Sequence, residues 1–89
     1  SAKDDIRTEF TVDEAGNLYH LDTPIGSSFD TAKMQDIIEK KRSLPGGDKL
    51  KVYLRADAKA TYGDVKRVMA ACAAKGQTKI LFASYVKEN

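Results

Sequence analysis

Eighty-nine residues with ordinary apolar (42%) and charged (31%) shares can build one two-layer core, and leave no room for a second domain, a dinucleotide site and a substrate pocket together. The fifteen basic and thirteen acidic residues are interspersed, net +2, so electrostatics makes no case for nucleic acid, which wants basic residues gathered on one face. The lone Cys72 excludes an internal disulfide and a multi-cysteine metal site, and no apolar run reaches the roughly 18 residues that cross a bilayer.

Residues 1–5 (SAKDD) are small, polar and charged, and read as a frayed or excised start without a signal peptide. From Ile6 to Val12 the chain alternates, with Ile6, Thr8, Phe10 and Val12 on one face and Arg7, Glu9 and Thr11 on the other, the period of a half-buried strand. Asp13-Glu14-Ala15-Gly16-Asn17 supplies a turn, and Leu18 to Leu21 returns as the second strand of a hairpin. Thr23-Pro24-Ile25-Gly26-Ser27-Ser28 reads as a loop, because proline and glycine interrupt regular structure, and the serines and Asp30 offer helix caps. A first helix is predicted over 30–44, with Met34, Ile37, Ile38, Leu44 and the stem of Lys41 on its apolar stripe and Phe29 as a staple beside the cap. Leu44-Pro45-Gly46-Gly47-Asp48 ends it; these glycines leave a helix instead of opening one, and neither the lysine nor the hydroxyl residue of a phosphate loop follows them.

Leu50, Val52 and Leu54 then alternate with Lys51, Tyr53 and Arg55 in a strand with one buried face. Ala56 to Ala60 connects it to a second helix, with Thr61 as N-cap and Asp64 three residues on, its carboxylate near the positive helix end. Val65, Val68, Met69, Cys72 and Ala73 form the inward stripe, Lys66, Arg67 and Lys75 face water, and Gly76 stands where a left-handed C-cap belongs. Lys79 to Ala83 is a nearly continuous apolar run, as expected of a central strand parallel to the one at 50–55, with residues 85–89 a tail or an extension of it. The order ββαβαβ predicts an α/β fold of the two-layer α+β kind over residues 6–84: a small mixed sheet with both helices packed on one face and a right-handed crossover. The opposite face is then partly open, lined by Tyr19, Tyr53 and Arg55, and an uncovered face or edge suggests a partner.

No constellation of side chains demands catalysis. His20 has no second histidine or neighbouring cysteine and reads as a surface or cross-strand residue. Cys72 reads as a small buried hydrophobe, and Lys40-Lys41-Arg42, preceded by Asp36 and Glu39, as a solvated helix end. Asp57 and Asp64 flank a helix start, where capping explains them. The chain is therefore read as non-enzymatic, with no catalytic, cofactor-binding or metal residue. Two other readings are carried along: a nucleic-acid-binding module using Lys51, Arg55 and Lys79, and a small hydrolase using His20.

The run Val52-Tyr53-Leu54-Arg55-Ala56-Asp57, then Thr61-Tyr62-Gly63-Asp64-Val65, Val68-Met69, Lys75-Gly76 and Lys79-Ile80-Leu81-Phe82, resembles the periplasmic domain of the ExbD/TolR biopolymer-transport family. The hairpin around Val12, Gly16, Asn17 and Leu18 is similar to the family's first hairpin, and the likeness spans residues 6–84. The resemblance implies a domain in the periplasm of a Gram-negative bacterium, anchored to the inner membrane by an N-terminal helix that this sequence does not contain. It implies a proton-motive-force-driven complex with an ExbB/TolQ-type membrane partner, coupled to a TonB/TolA-like periplasmic partner, with peptidoglycan a further contact and a homodimer as the assembly. The family's proton-carrying aspartate lies in the missing helix, so Asp57 is read as a turn or cap residue. On this reading Asp57, Thr61, Tyr62, Gly63 and Gly76 form the family's turn-and-cap motif. Tyr53, Arg55, Phe82, Tyr85 and Val86 are candidate partner or dimer contacts. Strand addition is expected at the first hairpin or at the Ile80–Val86 edge.

Overall fold

In a computed structural model, which describes residues 6–83, the chain forms one five-stranded mixed sheet and two helices. Strands β1 (Arg7–Val12), β2 (Asn17–His20) and β3 (Thr23–Ser27) precede helix α1 (Ala32–Arg42). A 3₁₀ turn (Gly47–Lys49), strand β4 (Lys51–Ala56), helix α2 (Tyr62–Ala73) and strand β5 (Ile80–Ala83) follow. The sheet order is β3-β2-β1-β4-β5, antiparallel on the β3/β2/β1 side and parallel across β1, β4 and β5.

Register explains where the core lies. Thr8, Phe10 and Val12 stand beside Val52, Leu54 and Ala56, and Leu18 and His20 stand beside Val12 and Phe10, all on one face. Met34 and Ile38 from α1 and Val68 and Cys72 from α2 complete a contiguous cluster with Phe10, Val12, Leu18, Val52 and Leu54. The α/β fold of a mixed sheet with two helices on one side is thus the one expected from the periodicity.

Several local expectations are corrected. The Thr23–Ser27 segment is a strand, not a loop. Proline is tolerated there because β3 is an edge strand, and Gly26 (φ 145°) sits at a bulge where Leu18 pairs Gly26 but Tyr19 pairs Pro24. A side chain at Gly26 would also collide with the carbonyl of Asp30. β5 is an edge strand and not a central one, paired with β4 alone among the described residues. Helix α1 is shorter than predicted, so Leu44 lies beyond it and is exposed, and Ala73 of α2 faces out. The N-cap of α1 is Thr31, without a side-chain cap bond, so neither the serines nor Asp30 caps it. Phe29 is no staple. Ser27 and Asp30 close a tight turn by mutual backbone bonds, which buries Ser28 and leaves Phe29 80% exposed.

Phe10 is fully buried at the centre of the sheet. Phe10→Ala is expected to cost about 3–5 kcal/mol, a large part of the roughly 5–15 kcal/mol that such a domain has, read as a lower midpoint in urea denaturation.

Candidate functional site

The family-like motif forms the entry to α2. Asp57 closes a turn: its carboxylate accepts from the Lys59 amide (2.8 Å), its own amide donates to Val12 O (3.0 Å) and its carbonyl accepts from Ala60 N (2.8 Å). Thr61 is extended at the N-cap (φ −80°, ψ 151°), and its hydroxyl oxygen accepts from the Asp64 amide at 3.1 Å. Tyr62 projects into water, 76% exposed, with the Lys66 ammonium 5.5 Å from its ring centroid. Gly63 lies under the Arg67 guanidinium.

Asp64 does more than the sequence reading gives it. Its carboxylate is buried and accepts from the hydroxyls of Ser28 and Thr61 (2.9 Å to the latter) and from Arg67 Nη2 at 2.7 Å. Those donors, Ser28 first, hold its pKa below the ordinary 3.8. It packs against Gly16, where a Cβ would stand 2.8 Å from Asp64 Oδ1, and Gly16 is also left-handed (φ 83°). Arg67 consequently does not simply face water. Its Nε donates to Ser28 Oγ at 3.1 Å, and its guanidinium lies 3.8 Å from the Phe29 ring centroid. The spacing of Ser28, Asp64 and Arg67 in sequence gives no hint of this knot; only the unusual glycine in the β1–β2 turn marks a close approach.

A second knot lies at the far end of α2. Gly76 (φ 83°) closes a Schellman motif, with Gly76 N donating to Ala73 O and Gln77 N to Cys72 O. The buried Gln77 amide donates to Leu50 O and Lys79 O, both at 3.0 Å, and its oxygen accepts from Arg42 at 2.7 Å. Nothing in the periodicity flags Gln77, because a polar residue after a helix is ordinarily solvated.

The candidate contact residues fall in different places. Tyr53 and Arg55 project from the uncovered face of β4, opposite Val52 and Leu54. Arg7 lies 5.6 Å from the Tyr53 ring centroid, and Arg55 reaches Glu9 at 3.9 Å. Tyr19 shares this face and donates to Asp13 at 2.9 Å. Phe82 pairs with Leu54 on the helix side of β5, yet is 55% exposed at the sheet's edge. Tyr85 and Val86 lie outside the described residues. The first hairpin offers no edge: β1 and β2 are interior strands, and the edge on that side is β3.

Among the described residues His20 is not brought into a nucleophile–histidine–carboxylate arrangement. His20 Nε2 is bonded to Thr8 Oγ1 at 2.9 Å beside the Phe10 ring, and among the described residues no carboxylate hydrogen-bonds to it. Thr8 is buried in mid-strand, closed to a substrate. Burial pushes the Cys72 thiol up to about 11, which leaves it protonated and inert. No group of three or more His, Cys, Asp or Glu among the described residues could hold a metal. The nucleic-acid trio is split, with Lys51 and Lys79 at one end of the sheet and Arg55 near the other.

What the geometry offers is a scaffold with contact surfaces, and comparison with known proteins gives it a place. The family described as "Biopolymer transport protein ExbD/TolR" matches residues 1–85 of the 89. The chain belongs to the ExbD/TolR family. That is a transport-associated, non-enzymatic family of energy-transducing stator subunits in envelope membrane complexes. No curated protein matches the chain. No helix among the described residues is long and apolar enough to cross a membrane.

Asp64→Asn should lower the melting temperature by several degrees, since Arg67 and Ser28 lose their charged acceptor. The ionised form of Asp64 is favoured in the folded chain, so its contribution is complete above pH 3.8 and is lost as pH falls through the lower folded value. His20 acts in a separate window. Burial and then Lys41 hold it below 6.5, the unfolded chain binds the proton more readily, and stability declines as pH falls from 6.5 towards the folded value. Melting curves from pH 8 to pH 3 should show both slopes, the upper one absent in His20→Gln and the lower one reduced in Asp64→Asn.

Proposed function

We propose that this domain is the periplasmic interaction module of a proton-motive-force-driven stator subunit that engages a TonB- or TolA-like partner by strand addition at the outer edge of β5. In this reading a helix outside the present sequence anchors it to the inner membrane beside an ExbB/TolQ-like protein and carries the proton chemistry. The module is homodimeric, and peptidoglycan is a further contact.

The observation that carries the reading is the contrast between the two sheet edges. β3 is blunted by Pro24 and by the bulge at Gly26, devices that discourage pairing. β5 has four residues, no proline or glycine, and no strand on its outer side among the described residues. Phe82 beside that edge is 55% exposed, an anchor for an incoming side chain. Backbone hydrogen bonds along β5 supply affinity and the Phe82 contact supplies choice.

Titrating isotope-labelled protein with a TonB- or TolA-like periplasmic peptide should shift amide resonances of Ile80–Ala83 first. Phe82→Ala should weaken binding about 5- to 20-fold while leaving the fold intact, because the ring is largely exposed. Shifts confined to β3 or to the helices, or none at saturating peptide, would refute strand addition at β5. Sedimentation over a concentration series tests the dimer; a monomer throughout would count against it.

A further inference from the structure

The fold gathers cations that the sequence scatters. α1 and α2 both run back against the parallel strands β1, β4 and β5, so both helix C-termini and three strand starts meet at one end of the domain. Lys40, Lys41 and Arg42 from the last turn of α1, Lys49 from the 3₁₀ turn and Lys79 before β5 converge there, with Lys51 and Lys75. Among the described residues the acids at or near this end are Asp48, Glu39, Asp36, whose charge acts on Lys75, and Asp22 in the β2–β3 turn; Glu39 is taken by Lys75 at 2.9 Å. Asp13, Glu14, Asp30, Asp57 and Asp64 lie at the other end, around the helix N-termini. Lys33, Lys59, Lys66 and Arg67 share that end, so its charges nearly balance and the excess positive charge behind the net +2 gathers at the first end.

Between these cations is an open concavity of about 620 Å³, lined by Arg42, Lys49, Lys51 and Lys79 around the buried Gln77 and the apolar Leu50. We propose that this basic end is a docking surface for an anionic phospholipid leaflet, with lysines taking headgroup phosphates around the rim. Lys40, Lys49 and Lys79 are exposed on flexible stems and carry no ion pair among the described residues. Charge laid out on mobile stems around an open rim suits many phosphates in a plane better than one phosphate in a cradle, which needs fixed, converging donors. Among the described residues the lining holds no aromatic side chain on which a nucleic-acid base would stack. β1 also begins at this end, with Arg7 in register with Lys51, and the family works in membrane complexes. The inference does not depend on strand addition at β5, although the concavity reaches Leu81 of that strand; the variants below separate the two.

The test is co-sedimentation of the 89-residue chain with vesicles of phosphatidylcholine alone or with phosphatidylglycerol added, at low and physiological salt. Binding only to the phosphatidylglycerol vesicles, weakened by salt, is expected. Lys40→Gln, Lys49→Gln and Lys79→Gln together should reduce partitioning on the order of a hundredfold, at roughly fivefold per cation. Lys33→Gln, Lys59→Gln and Lys66→Gln remove the same charge from the opposite end and should leave most of the binding. Equal loss in the two triple variants would reduce the effect to net charge and overturn the proposal, as would no binding at low salt. Saturable displacement from the vesicles by inorganic phosphate at millimolar concentration would make it a free-phosphate site. Tighter, basic-end-dependent binding to a single-stranded oligonucleotide would make it a nucleic-acid surface. Either result also overturns the lipid assignment. Phe82→Ala should leave partitioning unchanged, so this result is separable from that of the strand-addition test.

Discussion

One buried carboxylate holds three distant pieces of this chain together. Asp64 accepts hydrogen bonds from Ser28 after β3, from Thr61 at the helix cap and from Arg67 one turn on, and it packs against Gly16 in the β1–β2 turn. A buried charge is tolerated only when it is hydrogen-bonded, and here three donors meet both oxygens at the positive end of a helix. The knot fixes where α2 enters the structure, and therefore which of its residues meet the sheet. Val68 and Cys72 are driven onto Phe10, Val52 and Leu54 because Asp64 is already tied down one turn earlier.

The other end of α2 is fastened by different chemistry to similar effect. The Gln77 side chain joins α1, through Arg42, to the carbonyls of Leu50 and Lys79, which flank β4 and β5. Between the two knots the helix–sheet contact is apolar. Hydrophobic burial is the larger energy and is indifferent to a slide along the strands; the polar knots are not. Their job is register. This accounts for glycine at both ends of the helix, since Gly16 admits the carboxylate and Gly76 brings the chain round to place the Gln77 amide.

Much of this was legible in sequence, for definite reasons. Strict alternation in β1 and β4, and helical spacing of Met34, Ile38, Val68 and Cys72, report burial one residue at a time, which is what periodicity measures. The Thr61 cap and the Gly76 exit are local motifs with local causes. β3 was not legible, because the residues that mark it as a loop, Pro24 and Gly26, are also the ones an edge strand with a bulge accommodates. The misplaced β5 has the same origin: an apolar run says that a strand is covered on a face but does not say on which side it has neighbours. The outward placement of Phe29 is not legible either, because the Ser27–Asp30 turn points its ring away from the helix and toward Arg67, thirty-eight residues away. The two knots were invisible because each joins side chains far apart in sequence.

The same knots bear on how the domain works. Among the described residues its perturbed acids, Asp64, Asp13 and Glu39, are engaged by neighbouring donors that serve a cap, a turn and an ion pair with Lys75, and its thiol is buried and protonated. Perturbation of this kind often marks a reactive centre, but here every lowered carboxylate already has its hydrogen-bond partners within the fold. The chain's chemistry is turned inward, to hold a sheet and two helices in fixed relation. What remains turned outward is a strand edge with an exposed phenylalanine, a polar face carrying Tyr53 and Arg55, and a basic end. The helix that Asp64 and Gln77 clamp at its two ends therefore holds the β1–β2 turn, the basic end and the β5 edge in fixed relation to one another.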